Sequence, residues 1–224
     1  MSLKPRMMLS PRTSDTIELH IGKILIFCEG HTEMNYFDYF KKQIKNKYDN
    51  IVIQMENVKS NARAVLNHAE EFLKDDHNSK AFYDYDKYLV FDCDAPDNIV
   101  EVIEQTKNSE SEYHLLVSSL LFEVWLLMHI EELESNPLRK KTIAEKLEQH
   151  LDLLPDSYEK HKDDQGLIAK IILGYQNVEK AIKNAENLRS LYDEKGYEMK
   201  DIISGYYPYS NVDELVKQLA KATE

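Results

Sequence analysis

Carboxylates follow two short apolar segments of the sequence. Glu29 comes directly after the run 24–28, and Asp92 and Asp94 come at the end of the run 88–91. Both runs have the β-branched and aromatic composition that is typical of buried parallel strands. The carboxyl ends of parallel strands meet in one crevice, where α/β sheets bind their ligands. We therefore expect Glu29, Asp92 and Asp94 to converge on one point.

This set of side chains favours a divalent cation as its ligand. Hard oxygen donors select Mg²⁺ or Mn²⁺, and neither motif contains a lysine that would neutralise the acids. An acid such as Glu29, placed directly after buried apolar residues, is unfavourable unless it is paired or coordinated. The alternative for Asp94 is a structural one, in which it caps the next helix together with Pro96 and Asp97.

Other enzyme classes also place an aspartate pair after a strand. Haloacid-dehalogenase-type phosphatases and sugar-nucleotide transferases do so, but neither class explains Glu29. The sequence contains no Gly-x-x-x-x-Gly-Lys phosphate loop and no Gly-x-Ser-x-Gly elbow. Phosphate-loop ATPases and serine hydrolases are therefore disfavoured.

The charge balance restricts how the chain can meet a polyanion. Its 224 residues include 40 Asp and Glu against 28 Lys and Arg, a formal net charge of −12. Broad binding to a phosphate backbone normally requires a basic face, so a nuclease would need a local cationic path. The candidates for that path are Lys41, Lys42, Lys45, Lys47, Lys59 and Arg63.

The sequence predicts a cytoplasmic protein. Cys28 and Cys93 have no metal-ligand spacing, so they are interpreted as buried thiols in a reducing compartment. The first 20 residues lack the apolar core of an export signal. The apolar region 115–130 is interrupted by polar residues and is too short for a membrane span, so we expect no membrane association.

Alternating strand and helix patterns predict how the acids are positioned. An α/β fold is expected, with a mostly parallel four-stranded sheet, helices on both of its faces and a C-terminal helical extension. The predicted strands are 24–28, 51–53, 88–92 and 113–117. The predicted helices are 32–47, 61–74, 99–106, 121–131, 143–150, 165–192 and 212–220. Thr32 is the predicted N-cap of the first helix. The expected domains are a lead-in over 1–20, the α/β domain over 21–135 and the extension over 136–224.

Four sequence blocks of the chain form a pattern, namely Ile24–Phe37, Val90–Asp94, Phe122–His129 and Pro208–Val212. In composition and order they resemble the blocks of the RloB-like proteins of prokaryotic restriction and abortive-infection loci. The chain differs from the usual pattern in having Ser118-Ser119-Leu120-Leu121 where relatives often have Ser-Asn-Pro, and Tyr207 where they have Asn.

The resemblance implies a Toprim-like fold and a metal-dependent, phosphodiester-cleaving effector of a phage-defence system. It makes Glu29 a general acid/base or metal ligand, and it assigns Mg²⁺ or Mn²⁺ to Asp92 and Asp94. Glu123 is a further catalytic candidate, because it follows a predicted strand and opens a predicted helix. The expected partners are DNA or RNA and an ATPase protein. Substrate-binding candidates are Lys41 and Arg63 on the cationic path and Ser210 and Asn211 in the last block.

Several residues have a second interpretation that the sequence leaves open. Glu33 and Glu123 are also suited to the positive end of a helix dipole, and His129 is interpreted as a hydrogen-bonded core residue. Tyr206, with Tyr207 and Tyr209, either stacks on bases or forms a packed turn. For the whole chain, the alternative function is a non-catalytic regulatory or interaction subunit that binds a structural cation or a nucleotide.

Overall fold

A parallel β-sheet organises the part of the chain that the structure describes. The structure is a computed structural model that describes residues 22–47, 53–57, 62–93, 96–162, 164–173 and 175–223. The strands β1 (Ile24–Cys28), β2 (Ile53–Asn57), β3 (Asp86–Cys93) and β4 (Tyr113–Ser119) pair in the order β2-β1-β3-β4, and each pair is parallel. The predicted α/β class and parallel sheet are confirmed.

Helices connect these strands as the apolar periodicity predicts. They are α1 (His31–Lys47), α2 (Ala62–Lys74), α3 (Asp76–Ala81), α4 (Pro96–Lys107) and α5 (Glu123–Ile130). Thr32 was expected to cap α1, but that prediction is wrong because the helix begins at His31 and Thr32 is in its first turn. The short helix α3 was not predicted, and it buries none of its residues.

The remaining elements are helical. They are α6 (Lys140–Leu151), α7 (Tyr158–His161), α8 (Gln165–Ile171), α9 (Tyr175–Lys195), α10 (Met199–Ser204) and α11 (Asp213–Thr223). The single helix predicted over 165–192 is therefore wrong, since two helices cover this range. Gly174, a poor helix former, separates them in the sequence.

Both faces of the sheet are covered by apolar packing. Leu25 and Phe27 of β1 belong to one buried cluster with residues of α2 and α4, including Val65. Ile26 and Cys28, which point to the opposite face, belong to a second cluster with Tyr36 of α1 and with α5. The second cluster continues into α6, α8, α9 and α11, so the C-terminal helices share the core of one sheet face. In the described part of the chain no helix is both long and apolar enough for a membrane span.

Candidate functional site

A cavity of about 290 Å³ lies at the carboxyl ends of β1 and β3, where α1 and α5 begin. We call it the carboxylate crevice. Its lining comprises Glu29, Gly30, His31, Thr32, Glu33, Asp92, Leu121, Glu123, Glu159 and Lys162.

Glu29 links the ends of two neighbouring strands. Its backbone N–H donates to the Val90 carbonyl at 3.0 Å, and its Oε2 accepts from the Asp92 backbone N–H at 3.0 Å. These contacts follow from the parallel pairing of β1 with β3, which brings both strand ends to the same edge of the sheet. The structure therefore places Glu29 beside Asp92.

Asp92 carries a buried oxygen at the crevice. Its Oδ1 has no hydrogen-bond partner among the described residues. Burial raises the pKa of Asp92 well above its ordinary value, and the negative charges of Glu33, Glu123 and Glu29 raise it further, against a hydrogen bond from the Phe122 backbone. A cation bound next to Oδ1 would remove this penalty.

Glu33 is another carboxylate of the crevice lining. It lies in the first turn of α1 and is 4% exposed. Burial raises its pKa to about 8, with smaller contributions from the charges of Glu123 and Glu29, while the positive charge of Lys162 lowers it. A Cβ at Gly30 would lie 2.8 Å from Glu33 Oε2, so glycine leaves the space into which this carboxylate folds back.

Glu123 is held in the crevice by the C-terminal helices. The Tyr158 hydroxyl donates to Glu123 Oε1 at 3.2 Å, and both side chains are buried. Burial raises the pKa of Glu123, and Lys162 and Tyr158 oppose that shift. Tyr158 is itself fixed by Glu148, whose carboxylate accepts from the backbone N–H groups of residues 156–158 at 2.8 to 3.1 Å.

Lys162 is the cation of the described crevice lining. Its Nζ forms a salt bridge with Glu159 Oε2 at 2.7 Å. Its positive charge lowers the pKa values of both Glu33 and Glu123. Lys162 thus offsets part of the repulsion between the acids, and it offers a positive contact to an anionic ligand.

The donor set fits Mg²⁺ or Mn²⁺ by ligand type. Glu29, Glu33, Asp92 and Glu123 supply hard carboxylate oxygens to one cavity that contains a single lysine in its described lining. Within the described residues no three His, Cys, Asp or Glu side chains are already grouped as a metal site. Asp94, the remaining predicted ligand, lies outside the described residues.

The described residues of the predicted cationic path are not part of the crevice lining. Lys41 lies on α1, and Arg63 on α2 forms a salt bridge with Glu101 at 3.1 Å. Lys42 pairs with Asp38 on the same helix. The side chains of Lys45 and Lys47, and all of Lys59, fall outside the described residues.

Ser210 and Asn211 contact β4 rather than the crevice. Ser210 is buried, forms an isolated antiparallel bridge with Ser118, and its Oγ lies 3.1 Å from Ser118 Oγ. Asn211 Oδ1 accepts from the Val117 N–H at 2.6 Å, and its Nδ2 donates to the Leu115 carbonyl at 2.8 Å. These contacts attach the C-terminal segment to the edge of the sheet beside the crevice.

His129 is a core residue, as the sequence indicates. Its ring is 1% exposed, with Nδ1 at 3.0 Å from the Trp125 carbonyl and Nε2 at 3.1 Å from the Tyr36 hydroxyl. A carbonyl only accepts, so Nδ1 carries the proton and Nε2 accepts from Tyr36. Burial lowers the pKa of His129 to about 4. Cys28 and Cys93 are both buried and form no disulfide.

The comparisons with known proteins give one match. The protein-family model described as "RloB-like protein" matches residues 24–219, a range that contains every described residue of the crevice. Comparison with curated proteins finds no match, and comparison with solved structures finds none either.

Proposed function

Because the chain belongs to the RloB-like family, we propose that it is a Mg²⁺- or Mn²⁺-dependent, Toprim-type effector that cleaves phosphodiester bonds in phage defence. The observation that carries this proposal is the set of four buried or half-buried carboxylates in one crevice, positioned by β1, β3, α1 and α5. A sheet with the order β2-β1-β3-β4 and acids after β1 and β3 is compatible with a Toprim-like fold.

The crevice residues take distinct parts in this proposal. Asp92 and Glu33 hold the metal ion together with Glu29, and Asp94 is a further ligand. When bound, the ion polarises the scissile phosphate and lowers the pKa of a water molecule. Alternatively, Glu29 acts as a general base rather than as a metal ligand and accepts the proton of the attacking water. Lys162 Nζ contacts a phosphate oxygen and stabilises the charge that develops there.

The net charge of −12 supports the participation of a partner. An acidic protein captures a polyanion poorly by itself, so a basic surface on another protein would raise the association rate. The partner that we propose is an ATPase encoded at the same restriction-modification or abortive-infection locus.

The proposal is tested by cleavage. Purified protein with Mn²⁺, alone and with the partner ATPase, is incubated with single-stranded and duplex DNA and RNA. We expect wild type and the exposed-acid control Glu104→Gln to cleave at equal rates, and Glu29→Gln to lose at least about 100-fold in turnover while keeping its fold. In cells, wild type should slow growth when activated, and Glu29→Gln should not.

The second candidate is a regulatory or interaction subunit that uses the carboxylates to hold a structural cation or a nucleotide. The acidic surface charge favours it, and so does the absence of the predicted cationic path from the described crevice lining. If wild type and Glu29→Gln are indistinguishable in cleavage and in toxicity with the partner present, the interaction subunit replaces the nuclease as the best account.

A further inference from the structure

A second cavity is lined by the residue that precedes Leu121 of the carboxylate crevice. It has a volume of about 700 Å³, within the range of small-molecule pockets. The two cavities are close along the chain, because Leu120 lines this one and the next residue, Leu121, lines the crevice. We call it the Tyr206 cavity, and its lining comprises Leu120, Pro137, Leu138, Arg139, Lys140 and Tyr206.

The Tyr206 cavity has the opposite charge to the crevice. Its described lining contains two cations, Arg139 and Lys140, and no carboxylate. Its other members are apolar or aromatic. A chain with a net charge of −12 therefore has a pocket, one residue along the chain from the lining of its acidic site, that suits an anion attached to a flat apolar group.

Tyr206 presents its ring to solvent in a conformation that the backbone fixes. The residue is 55% exposed and has a φ of 55°, in the left-handed region that is unfavourable for tyrosine. Two backbone hydrogen bonds hold it there, from Tyr206 N–H to the Ile203 carbonyl at 3.0 Å and from Leu138 N–H to the Tyr206 carbonyl at 2.8 Å.

The neighbouring tyrosine is packed instead. Tyr207 stacks on Tyr197 with ring centroids 5.6 Å apart. The C-terminal tyrosine cluster therefore forms a packed turn, as one interpretation of the sequence has it, but leaves Tyr206 available at the cavity.

We propose that the Tyr206 cavity binds an unpaired nucleotide next to the scissile phosphate, with the base on Tyr206 and Leu138 and a backbone phosphate at Arg139. This inference rests on the proposed function and gives its substrate class, a single-stranded segment of nucleic acid. A base in a duplex is stacked and paired on both sides, so it does not enter such a cavity without being flipped out. Stacking on an aromatic ring is available to every base, so the cavity selects for single-strandedness rather than for sequence.

The test is binding of a fluorescent oligonucleotide of about 12 nucleotides, single-stranded or as a duplex of the same sequence, measured by anisotropy in Ca²⁺. Tyr206→Asn removes the aromatic ring, and asparagine tolerates the left-handed backbone conformation of this position. Tyr206→Phe keeps the ring. The matched control is Tyr83→Asn, which removes an exposed tyrosine from an acid-rich cavity at the amino-terminal ends of β3 and β4. For charge, Arg139→Gln is compared with Lys141→Gln, whose side chain is 77% exposed and pairs with Glu145.

We expect wild type to prefer the single strand. Tyr206→Asn should weaken its binding about tenfold. Arg139→Gln should weaken it about fivefold and reduce the salt slope by about one. Tyr206→Phe, Tyr83→Asn and Lys141→Gln should bind as wild type does.

Three results would overturn the inference. The first is no oligonucleotide binding by wild type, either alone or with the partner ATPase. The second is an equal loss for Tyr206→Asn on duplex and single strand. The third is displacement by a free mononucleotide at the affinity of the oligonucleotide, which would make the cavity a mononucleotide site. Metal-dependent cleavage by wild type and its loss in Glu29→Gln are measured separately, so the nuclease proposal stands or fails on its own.

Discussion

Replacing Glu33 by glutamine should change how the stability of the metal-free protein depends on pH. Glu33 is 4% exposed and its pKa is about 8 in the folded chain, against an ordinary value of 4.5. Because the folded-state pKa is the higher one, the stability that the protonated side chain contributes is complete below pH 4.5 and is lost as the pH rises through about 8. The full difference corresponds to about 5 kcal/mol, since each pH unit between the two values is worth about 1.4 kcal/mol.

The assay is urea unfolding in EDTA at about pH 5 and about pH 8.5, where the Glu33 contribution should change by about 4 kcal/mol. The glutamine side chain is neutral at both pH values, so Glu33→Gln should lack that loss. Taking the difference between variant and wild type removes the titration of groups that do not interact with Glu33, such as His129. Glu104→Gln, an exposed carboxylate on α4, is the control and should follow wild type. The reasoning is refuted if Glu33→Gln loses as much stability as wild type over this range.

Three further predictions concern groups around the crevice and in the core. Lys162→Gln should bind Mn²⁺ more tightly by on the order of 1 kcal/mol, because the positive charge of Lys162 repels the metal. The same variant should cleave at least about tenfold more slowly, because that charge attracts the phosphate. A variant in which Mn²⁺ affinity by calorimetry and cleavage rate both rise, or both fall, would contradict this prediction. The pKa of His129 is lowered to about 4, so the stability that its neutral ring contributes is present above pH 6.5 and is lost as the pH falls through 4. In urea unfolding, His129→Gln should therefore lose about 3 kcal/mol less stability on acidification than wild type does. A pH profile identical to that of wild type would rule this out. Asn211→Ala should cost about 2 kcal/mol, since it leaves a β4 N–H and a β4 carbonyl without their side-chain partner, and a loss below about 0.5 kcal/mol would show that water replaces it.

The sequence predicts β1, β3, β4 and the helices α1 and α2 well because their apolar pattern is set by local packing. The strand predicted over 51–53 overlaps β2 (Ile53–Asn57) at Ile53 alone among the described residues. The run at Ile24–Cys28 is buried along its whole length, as a parallel strand covered on both faces must be. The same logic places Glu29 and Asp92 together, because neighbouring parallel strands end at one edge. The resemblance noted from four sequence blocks is confirmed by the family match over residues 24–219.

Other parts of the candidate site depend on contacts that a local pattern does not contain. Glu33 follows Glu29 by four residues, a spacing that suggests proximity only once the turn between β1 and α1 is known. Tyr158 begins the short helix α7 and Lys162 directly follows that helix, far along the chain, and no periodicity relates them to Glu123. Asn211 was predicted to bind substrate from its motif alone, whereas its amide groups contact the edge of β4.

The most direct test of the account is whether the carboxylate crevice binds a divalent cation. Isothermal calorimetry with Mn²⁺ is performed on wild type, on Asp92→Asn, on the double variant Asp92→Asn with Asp94→Asn, and on the control Glu104→Gln. A neutral amide does not offset a divalent charge, so we predict binding by wild type and the control, a loss of at least about tenfold in Asp92→Asn and no detectable binding by the double variant. Equal Mn²⁺ affinity in wild type and the double variant would contradict the account and make these acids structural.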